Sequence, residues 1–445
     1  MARFEGIPKV TFLDFVKRAR EIVKNPLPFH HDNFENKGET FLLHLGFGKR
    51  ILFSRDAAFL KYVLQTHQRN YTKSEVQTKD VAKYLGKGLL TSEGELWKRQ
   101  RRLIQPTFHK KYLNELLEGM RQTIRDELSK IPSEKYINVE PYFGHLAFKV
   151  VAKSLFSGEV DDQTISRLQT IVEASQKMLV RELRQPYLVW WFKISGLLGK
   201  HFAMVKESRQ LIRQLIAERK ASSSRKGDLL DLLIEAKYED GSSMEEEQMI
   251  DEILILFTAG HETTSNALTF TCQLLAKHPE YQIRLRQESL GLDSQGLMPA
   301  IMAQKMTKQV IEESMRLYPP AYFIDRMNFK ADEFEGMCFP ANTPVLFSVI
   351  EIHRGEKFWE APLKFRPERF EGQPKKTSDF YFPFGAGPRM CIGNNFAMFE
   401  MQLVISELMQ NFKITGNDRP IEILPLITLK PKNAILKFEK IRGAQ

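Results

Sequence analysis

Apolar residues recur every three or four positions over most of the chain, a spacing that predicts amphipathic helices. The periodicity dominates from about residue 57 to 318 and returns at about 392–412. Breaks rich in glycine and serine interrupt it at 86–94 and 221–228. The segment 244–280 is the longest helix candidate, because acidic residues fill its first turns and basic residues lie near its end, which complements the helix dipole.

Shorter stretches of alternating apolar and polar residues predict a smaller β part. Residues 39–55 indicate two short strands around a glycine turn, and further strand-like pieces follow the double proline at 319–320. We therefore expect a mainly α fold with a small β part, in a single domain that spans 1–445. Its β-rich part covers about 37–56 and 320–350 together with C-terminal strands, and its helical part covers about 57–318 and 392–412.

The composition is that of a globular protein long enough to enclose a cofactor. Of its 445 residues, 42% are hydrophobic and 27% are charged. Its three cysteines form no close pair, so there is neither a disulfide framework nor a CxxC motif, which indicates a reducing compartment. The N-terminus does not resemble a signal peptide, and no run of about 18 apolar residues predicts a membrane span. We expect a cytoplasmic protein.

The net charge of +10 is spread along the chain. The short basic runs accompany no zinc-finger spacing, no RNP-like segment and no clear recognition helix, so we expect no nucleic acid partner. An acidic protein partner fits the same charges.

The stretch FGAGPRMCIG, from Phe384 to Gly393, places a cysteine among glycines and a proline. A lone cysteine is most often a buried structural residue. Here the glycines let the backbone approach a flat or bulky ligand, and several amides can point at the sulfur and stabilise its thiolate. A helix is expected just after Cys391, and its positive end favours an anion further. The spacing fits neither a dinucleotide-binding loop nor a phosphate-binding loop.

The stretch AGHETT, Ala259 to Thr264, lies in the middle of the longest helix candidate. Its His-Glu pair would suit a zinc protease only with a second histidine at position 265, which is Ser265. The other interpretation is a polar break in an apolar helix, where small residues let a ligand approach and Thr263 bonds back to a carbonyl. Glu262 and Thr263 would then form an acid and an alcohol that relay protons. For a lone threonine, a satisfied core hydroxyl is the commoner outcome.

Three further patterns are weak when taken singly. Glu313 and Arg316 are three residues apart and share a helix face, which allows a charge-assisted pair. The loop FRPERF carries Arg369, which can join that pair. Trp97 and Arg101 lie one helical turn apart on one face.

In their order and spacing these patterns resemble the cytochrome P450 family across nearly the whole chain. The family order is a WxxxR helix, an AGx(D/E)T helix, ExxR, a PERF loop and FxxGxRxCxG. The matching segments here are Trp97–Arg101, Ala259–Thr263, Glu313–Arg316, Pro367–Phe370 and Phe384–Gly393. The resemblance implies the family fold, with a long central helix over a buried haem.

The resemblance also implies roles for individual residues. Haem b would be the cofactor, with the Cys391 thiolate as its iron ligand. Thr263 and Glu262 would deliver protons for O2 activation, and Glu313, Arg316 and Arg369 would form a structural salt-bridge triad. The other haem contacts would be Trp97, Arg101, Arg326, Phe384, Arg389, Gly393 and Ala259, the arginines and Trp97 as donors to the propionates. The substrate contacts would be Leu89, Leu90, Ala321, Tyr322 and Phe323.

The implied activity is monooxygenation of a small molecule with O2, through hydroxylation of a hydrophobic substrate such as a fatty acid or terpenoid. Oxidative O-demethylation of a methyl ether such as a methylated sugar is an alternative. A haem-binding sensor or a non-oxygenase of the same fold is a further class. The aromatic and basic segment 181–202 fits plain core, an access lid for a greasy substrate, or a binding site for a polar ring.

Electrons would come from a separate acidic ferredoxin or flavodoxin with its reductase, and we expect a monomer. Basic side chains near the implied haem ligands could attract such a partner. These are Lys98, Arg99, Arg102, Lys375 and Lys376.

Overall fold

The computed structural model describes residues 4–157, 160–222, 225–293, 296–372 and 377–441. Helices account for most of the regular structure in these residues. Helices α1 to α18 run over Phe12–Lys17, Ala19–Lys24, Leu27–Lys37, Ala57–Lys61, Ala82–Leu85, Gly94–Ile104, Lys110–Leu128, Glu140–Phe156, Asp162–Arg184, Val189–Ile194, Leu197–Ala221, Leu229–Glu235, Glu246–Lys277, Pro279–Ser289, Leu297–Ala303, Lys305–Leu317, Val349–His353 and Asn394–Asn411.

The strands of the described residues are short. Strands β1 to β13 run over Lys9–Val10, Thr40–Gly46, Lys49–Ser54, Tyr71–Thr72, Tyr136–Asn138, Phe323–Asn328, Asp332–Phe334, Met337–Phe339, Pro344–Ser348, Phe412–Gly416, Glu422–Pro425, Leu429–Lys432 and Ile435–Lys440. They form a six-stranded sheet of order β1-β2-β3-β9-β6-β4, a three-stranded sheet of order β10-β13-β5, and the pairs β11-β12 and β7-β8.

The chain forms two compact units. The first consists of residues 1–74, 312–391 and 423–430 and contains the six-stranded sheet. In that sheet β9 pairs parallel with β3 and antiparallel with β6. The aromatic core beneath it includes Phe59, which lies edge-on to Phe347 with ring centroids 5.1 Å apart. The second segment of this unit ends at Cys391.

The second unit consists of residues 75–311, 392–422 and 431–445 and is mainly helical. Its long helix α13 packs along α8, where the rings of Phe148 and Phe257 stack with centroids 4.9 Å apart. The C-terminal half of α13 is buried on all sides, as a helix in the centre of a large core must be. The three-stranded sheet belongs to this unit.

The mainly α fold with a small β part is confirmed, and so are the hairpin at 39–55 and the long helix predicted over 244–280. The helical part also contains β4 and β5, which were not predicted because strands of two or three residues show no period. The single domain stays a prediction. Among the described residues, no helix is both long enough and apolar enough to cross a membrane.

Candidate functional site

The Cys391 loop is closed by its own backbone. The N–H of Cys391 donates to the carbonyl of Phe384 at 2.9 Å, and the N–H of Met390 donates to the carbonyl of Gly387 at 3.1 Å. The side chain of Cys391 is exposed, whereas Phe384 and Arg389 are partly buried. Helix α18 begins at Asn394, three residues after the cysteine. The loop therefore holds an exposed thiol within a backbone that is closed by its own hydrogen bonds.

Gly387 shows why this loop needs glycine. It has a φ of +69°, and a Cβ placed on it would lie 1.9 Å from the carbonyl oxygen of Leu64. The left-handed backbone conformation is unfavourable for a residue with a side chain. The close approach of Leu64 leaves no space for one. The loop is thus fixed against the segment that follows α4.

The other two cysteines are poor ligand candidates. Cys272 is fully buried in α13, and burial raises the pKa of its thiol. Burial and the nearby Glu333 and Glu5 carboxylates raise the pKa of the Cys338 thiol as well. Because the thiolate is the form that binds a metal, both environments disfavour ligation.

The Glu313, Arg316 and Arg369 side chains meet in the first unit. The Glu313 carboxylate accepts two hydrogen bonds from Arg316, at 2.6 and 2.8 Å, and one from Arg369 Nε at 3.2 Å. Arg316 also donates to the carbonyls of His353 and Pro362 at 2.8 and 2.7 Å. These bonds tie α16 to the last residue of α17 and to the loop segments that follow it.

His353 links this network to the cysteine loop. Its Nε2 accepts a hydrogen bond from the N–H of Phe382 at 2.8 Å. Burial, with the neighbouring Arg316 charge, lowers the pKa of His353 to about 3, so the ring is neutral and one nitrogen can accept.

The polar break of α13 has the geometry that the sequence indicated. The Thr263 hydroxyl donates to the carbonyl of Ala259, one turn earlier, at 2.7 Å. Ala259 is exposed and Thr263 partly so. The Glu262 side chain is buried and accepts a hydrogen bond from Gln176 Nε2 of α9 at 2.8 Å. His261 is a core residue whose Nδ1 pairs with the carbonyl of Phe257 at 2.6 Å.

The loop that carries Leu89 and Leu90 is held by carboxylates of α13. The N–H of Leu89 donates to Glu252 at 3.0 Å, and the N–H of Lys87 donates to Asp251 at 2.6 Å. A Cβ on Gly86, whose φ is +79°, would lie 2.0 Å from the Asp251 carboxylate. Both leucines are partly buried in this loop.

Trp97 and Arg101 lie one turn apart on α6, as expected. Trp97 is buried, and Arg101 is partly exposed with its Nε donating to Gln105 at 3.0 Å. The neighbouring cations all face acids. Lys98 pairs with Glu95, Arg99 with Asp240 and Arg102 with Glu239, at 2.6, 2.7 and 2.9 Å. Lys375 and Lys376 lie outside the described residues.

The residues proposed after the double proline have different surroundings. Ala321 is exposed, whereas Tyr322 is buried with its hydroxyl donating to the carbonyl of Leu426 at 2.6 Å. Phe323 packs edge-on against His30, with centroids 5.3 Å apart. Arg326, in β6, is partly buried and donates to the carbonyl of Asp325 at 2.7 Å. Their roles toward ligands stay predictions.

The aromatic segment 181–202 is not plain core. Tyr187, Trp190 and Trp191 are exposed, and only Phe192 of this group is buried. Arg181 lies over the Phe192 ring, 5.3 Å from its centroid. The core interpretation is therefore wrong for the two tryptophans.

Sequence reasoning missed several residues that position these side chains. They are Gln176, Asp251, Glu252 and His353. Asp251 and Glu252 did leave a signal, because two adjacent acids inside an apolar helix need partners. Gln176 and His353 left none, since their partners are distant in sequence.

Comparisons with known proteins show which family the chain belongs to. The family model described as Cytochrome P450 matches residues 7–438. The 11-oxo-beta-amyrin 30-oxidase of Glycyrrhiza uralensis is 30% identical over 79% of this chain and 72% of its own length. A cytokinin hydroxylase of Arabidopsis thaliana is 28% identical over 93% of this chain and 83% of its own.

The fold has a solved counterpart. The retinoic acid-bound cyanobacterial CYP120A1 aligns with a TM-score of 0.84 and 24% identity, covering 99% of this chain and 100% of that one. With the family model matching nearly the whole chain, the protein belongs to the cytochrome P450 family of haem-thiolate monooxygenases.

Proposed function

We propose that Cys391 supplies the thiolate ligand of the haem. The observation that carries this proposal is the contrast among the three cysteines: Cys391 alone is exposed, on a loop fixed by Gly387, while the other two lie where thiolates are disfavoured. The residues present fit a haem, because a flat ring needs an exposed sulfur and a close backbone. Helix α18 begins three residues after Cys391 in the chain, and a helix N-terminus stabilises a thiolate that lies near it.

The remaining haem contacts are proposed from the family pattern. Trp97, Arg101 and Arg389 donate to the propionates, and so does Arg326, which matches the family pattern less closely. The small residues Ala259 and Gly393 leave room for the ring, and Phe384 shields the Cys391 sulfur. Indole and guanidinium N–H groups suit carboxylates, the guanidinium in a bidentate fashion. When bound, the haem supplies the oxidising chemistry that transfers one atom of O2 to a carbon of the substrate.

Thr263 and Glu262 are proposed to move protons. The Thr263 hydroxyl is anchored to the Ala259 carbonyl on the exposed side of α13 and has lone pairs left to accept a proton. The Glu262 carboxyl directly precedes it in sequence and is buried, so it exchanges protons with few competing waters. The pair is the feature that favours an oxygenase over a sensor or a non-oxygenase.

A hydrophobic substrate, such as a fatty acid or terpenoid, is the proposed class. The names of relatives support it, since one is an 11-oxo-beta-amyrin oxidase and one solved structure holds retinoic acid. Leu89 and Leu90 offer apolar contacts on a loop that Glu252 holds in place. Ala321, Tyr322 and Phe323 are the other proposed contacts.

The electron donor is proposed to be an acidic ferredoxin or flavodoxin with its reductase, acting on a monomer. The net charge of +10 supports an acidic partner. Lys98, Arg99 and Arg102 of α6 support it less, because each is paired with an acid. A cytoplasmic location is proposed from the cysteines, none of which forms a disulfide although the structure describes all three.

Turnover under labelled dioxygen tests the function. Holoenzyme, reductant and a ferredoxin system are mixed with a fatty acid, a terpenoid or a methylated sugar, and products are examined by mass spectrometry. One labelled oxygen atom in a hydroxylated fatty acid or terpenoid is the expected result. If only the methylated sugar reacts and releases formaldehyde, the activity is O-demethylation of a methyl ether and not hydroxylation of a hydrophobic substrate. If no probe gives a product that depends on the reductant, the monooxygenase proposal is contradicted.

A further inference from the structure

The buried carboxyl of Glu262 is held by a side chain from another helix. Gln176, on α9, donates from Nε2 to Glu262 Oε2 at 2.8 Å. Glu262 is buried and Gln176 is half-buried, so the bond lies at the edge of the second unit's core. We propose that Gln176 positions the Glu262 carboxyl for proton delivery, an inference that rests on the proposed function of Glu262.

An amide suits this task for a geometric reason. A glutamate side chain has three rotatable bonds, and burial alone does not select one rotamer. A hydrogen bond from a neighbouring helix does select one, because α9 and α13 are packed together. Without Gln176, the carboxyl would lose a donor that fixes its direction.

An amide also suits a group that gains and loses a proton. It carries both a donor and an acceptor, so it can donate to an ionised carboxylate and, after its amide flips, accept from a protonated carboxyl. An arginine or lysine could only donate and would favour the ionised form. Gln176 therefore keeps a bond to Glu262 in both protonation states.

The same helix provides a matched control. Gln169 lies seven residues before Gln176, on the same face of α9, and its Nε2 donates to Glu173 at 2.9 Å. Gln169 and Gln176 are both half-buried. Gln169 Oε1 also pairs with His145 Nδ1 at 2.8 Å. Replacing Gln169 thus removes this contact and a glutamine–glutamate bond, and neither of them involves Glu262.

The test compares Gln176→Leu, Gln169→Leu and Glu262→Gln as holoenzymes. The readouts are hydrogen peroxide released per electron consumed, the pH profile of that ratio, and the unfolding midpoint. We expect Gln176→Leu and Glu262→Gln to raise the peroxide share at least threefold and Gln169→Leu to leave it unchanged. We also expect the double variant Gln176→Leu with Glu262→Gln to release no larger peroxide share than the more affected single variant. Its unfolding midpoint should be no lower than that of the less stable single variant.

A second substitution keeps the test decisive if Gln176→Leu folds poorly. In Gln176→Glu the carboxyl at position 176 can donate to Glu262 only when it is itself protonated. The peroxide released per electron should therefore decrease as the pH falls. A Glu262→Gln variant that wastes no more electrons than wild type would remove the proposed acid role, and this inference with it. The positioning role of Gln176 is overturned if Glu262→Gln raises the peroxide share while Gln176→Leu leaves it at the wild-type value. It is also overturned if Gln176→Leu and Gln169→Leu raise the peroxide share equally.

Discussion

Glu313 and Arg316 form a doubly hydrogen-bonded ion pair in which neither side chain is exposed to solvent. Arg316 Nε lies 2.6 Å from one carboxylate oxygen of Glu313, and its terminal nitrogen lies 2.8 Å from the other. The Arg316 guanidinium also lies over the Trp359 ring, 5.0 Å from its centroid. Both charges depend on each other, because neither has water to replace its partner.

Replacing Glu313 with Gln should therefore make the protein much less stable toward unfolding. The buried Arg316 charge would lose its counter-ion, which is expected to lower the free energy of unfolding by about 3–5 kcal/mol. The exposed pair of Arg167 and Glu207 gives a control, since Glu207→Gln should cost under about 1 kcal/mol. Urea titration of the three proteins measures both. Equal losses for Glu313→Gln and Glu207→Gln would contradict a fold-holding role.

Gly387→Ala should disturb the cysteine loop and its haem. The added methyl would meet the Leu64 carbonyl oxygen at 1.9 Å, so the loop must shift. Gly372→Ala is the control, because Gly372 also has a positive φ, +64°, but a Cβ there would meet no atom of the described residues within 4 Å. Backbone strain alone is expected to cost about 1–3 kcal/mol in each. Haem absorbance per protein should fall only in Gly387→Ala; full haem content there would show that the close contact is dispensable.

Stability should decrease in acid partly because of His353. Its pKa is about 3 when folded and about 6.5 when unfolded, so the unfolded state binds more protons between these values and stability falls as pH drops below about 6.5. Going from pH 7 to pH 5 should cost about 2 kcal/mol for this group. His353→Gln keeps an acceptor for the Phe382 N–H but does not titrate. Its unfolding free energy should therefore vary less with pH; an unchanged slope would mean that His353 does not control it.

Thr263→Ala should separate electron consumption from product formation. Loss of the hydroxyl removes the proposed proton carrier, so peroxide release should rise severalfold relative to product. Thr258→Ala is a close control, because the Thr258 hydroxyl makes the same bond to a carbonyl one turn back, to Leu254 at 2.8 Å. Both variants are assayed for product and peroxide per electron. An unchanged product yield in Thr263→Ala would contradict the proton-delivery role.

The sequence predicted what local patterns encode. The 3.6-residue period and charged ends predicted α13, and glycine with alternating residues predicted the β2–β3 hairpin. Contacts between distant segments could not be predicted from the sequence. A pair such as the Glu252 carboxylate and the Leu89 N–H depends on how helices and loops pack. The exposure of Trp190 was also unpredictable, since α10 has only six residues and shows no clear apolar face.

The absorption spectrum of the reduced holoenzyme under carbon monoxide tests the central claim most directly. A thiolate on the haem iron gives a far red-shifted Soret band. We expect this band for the wild type and for the control Cys338→Ser, which replaces the cysteine of β8. Cys391→Ser should lose that band. A Cys391→Ser holoenzyme that kept the red-shifted band would contradict the assignment of Cys391 as the ligand.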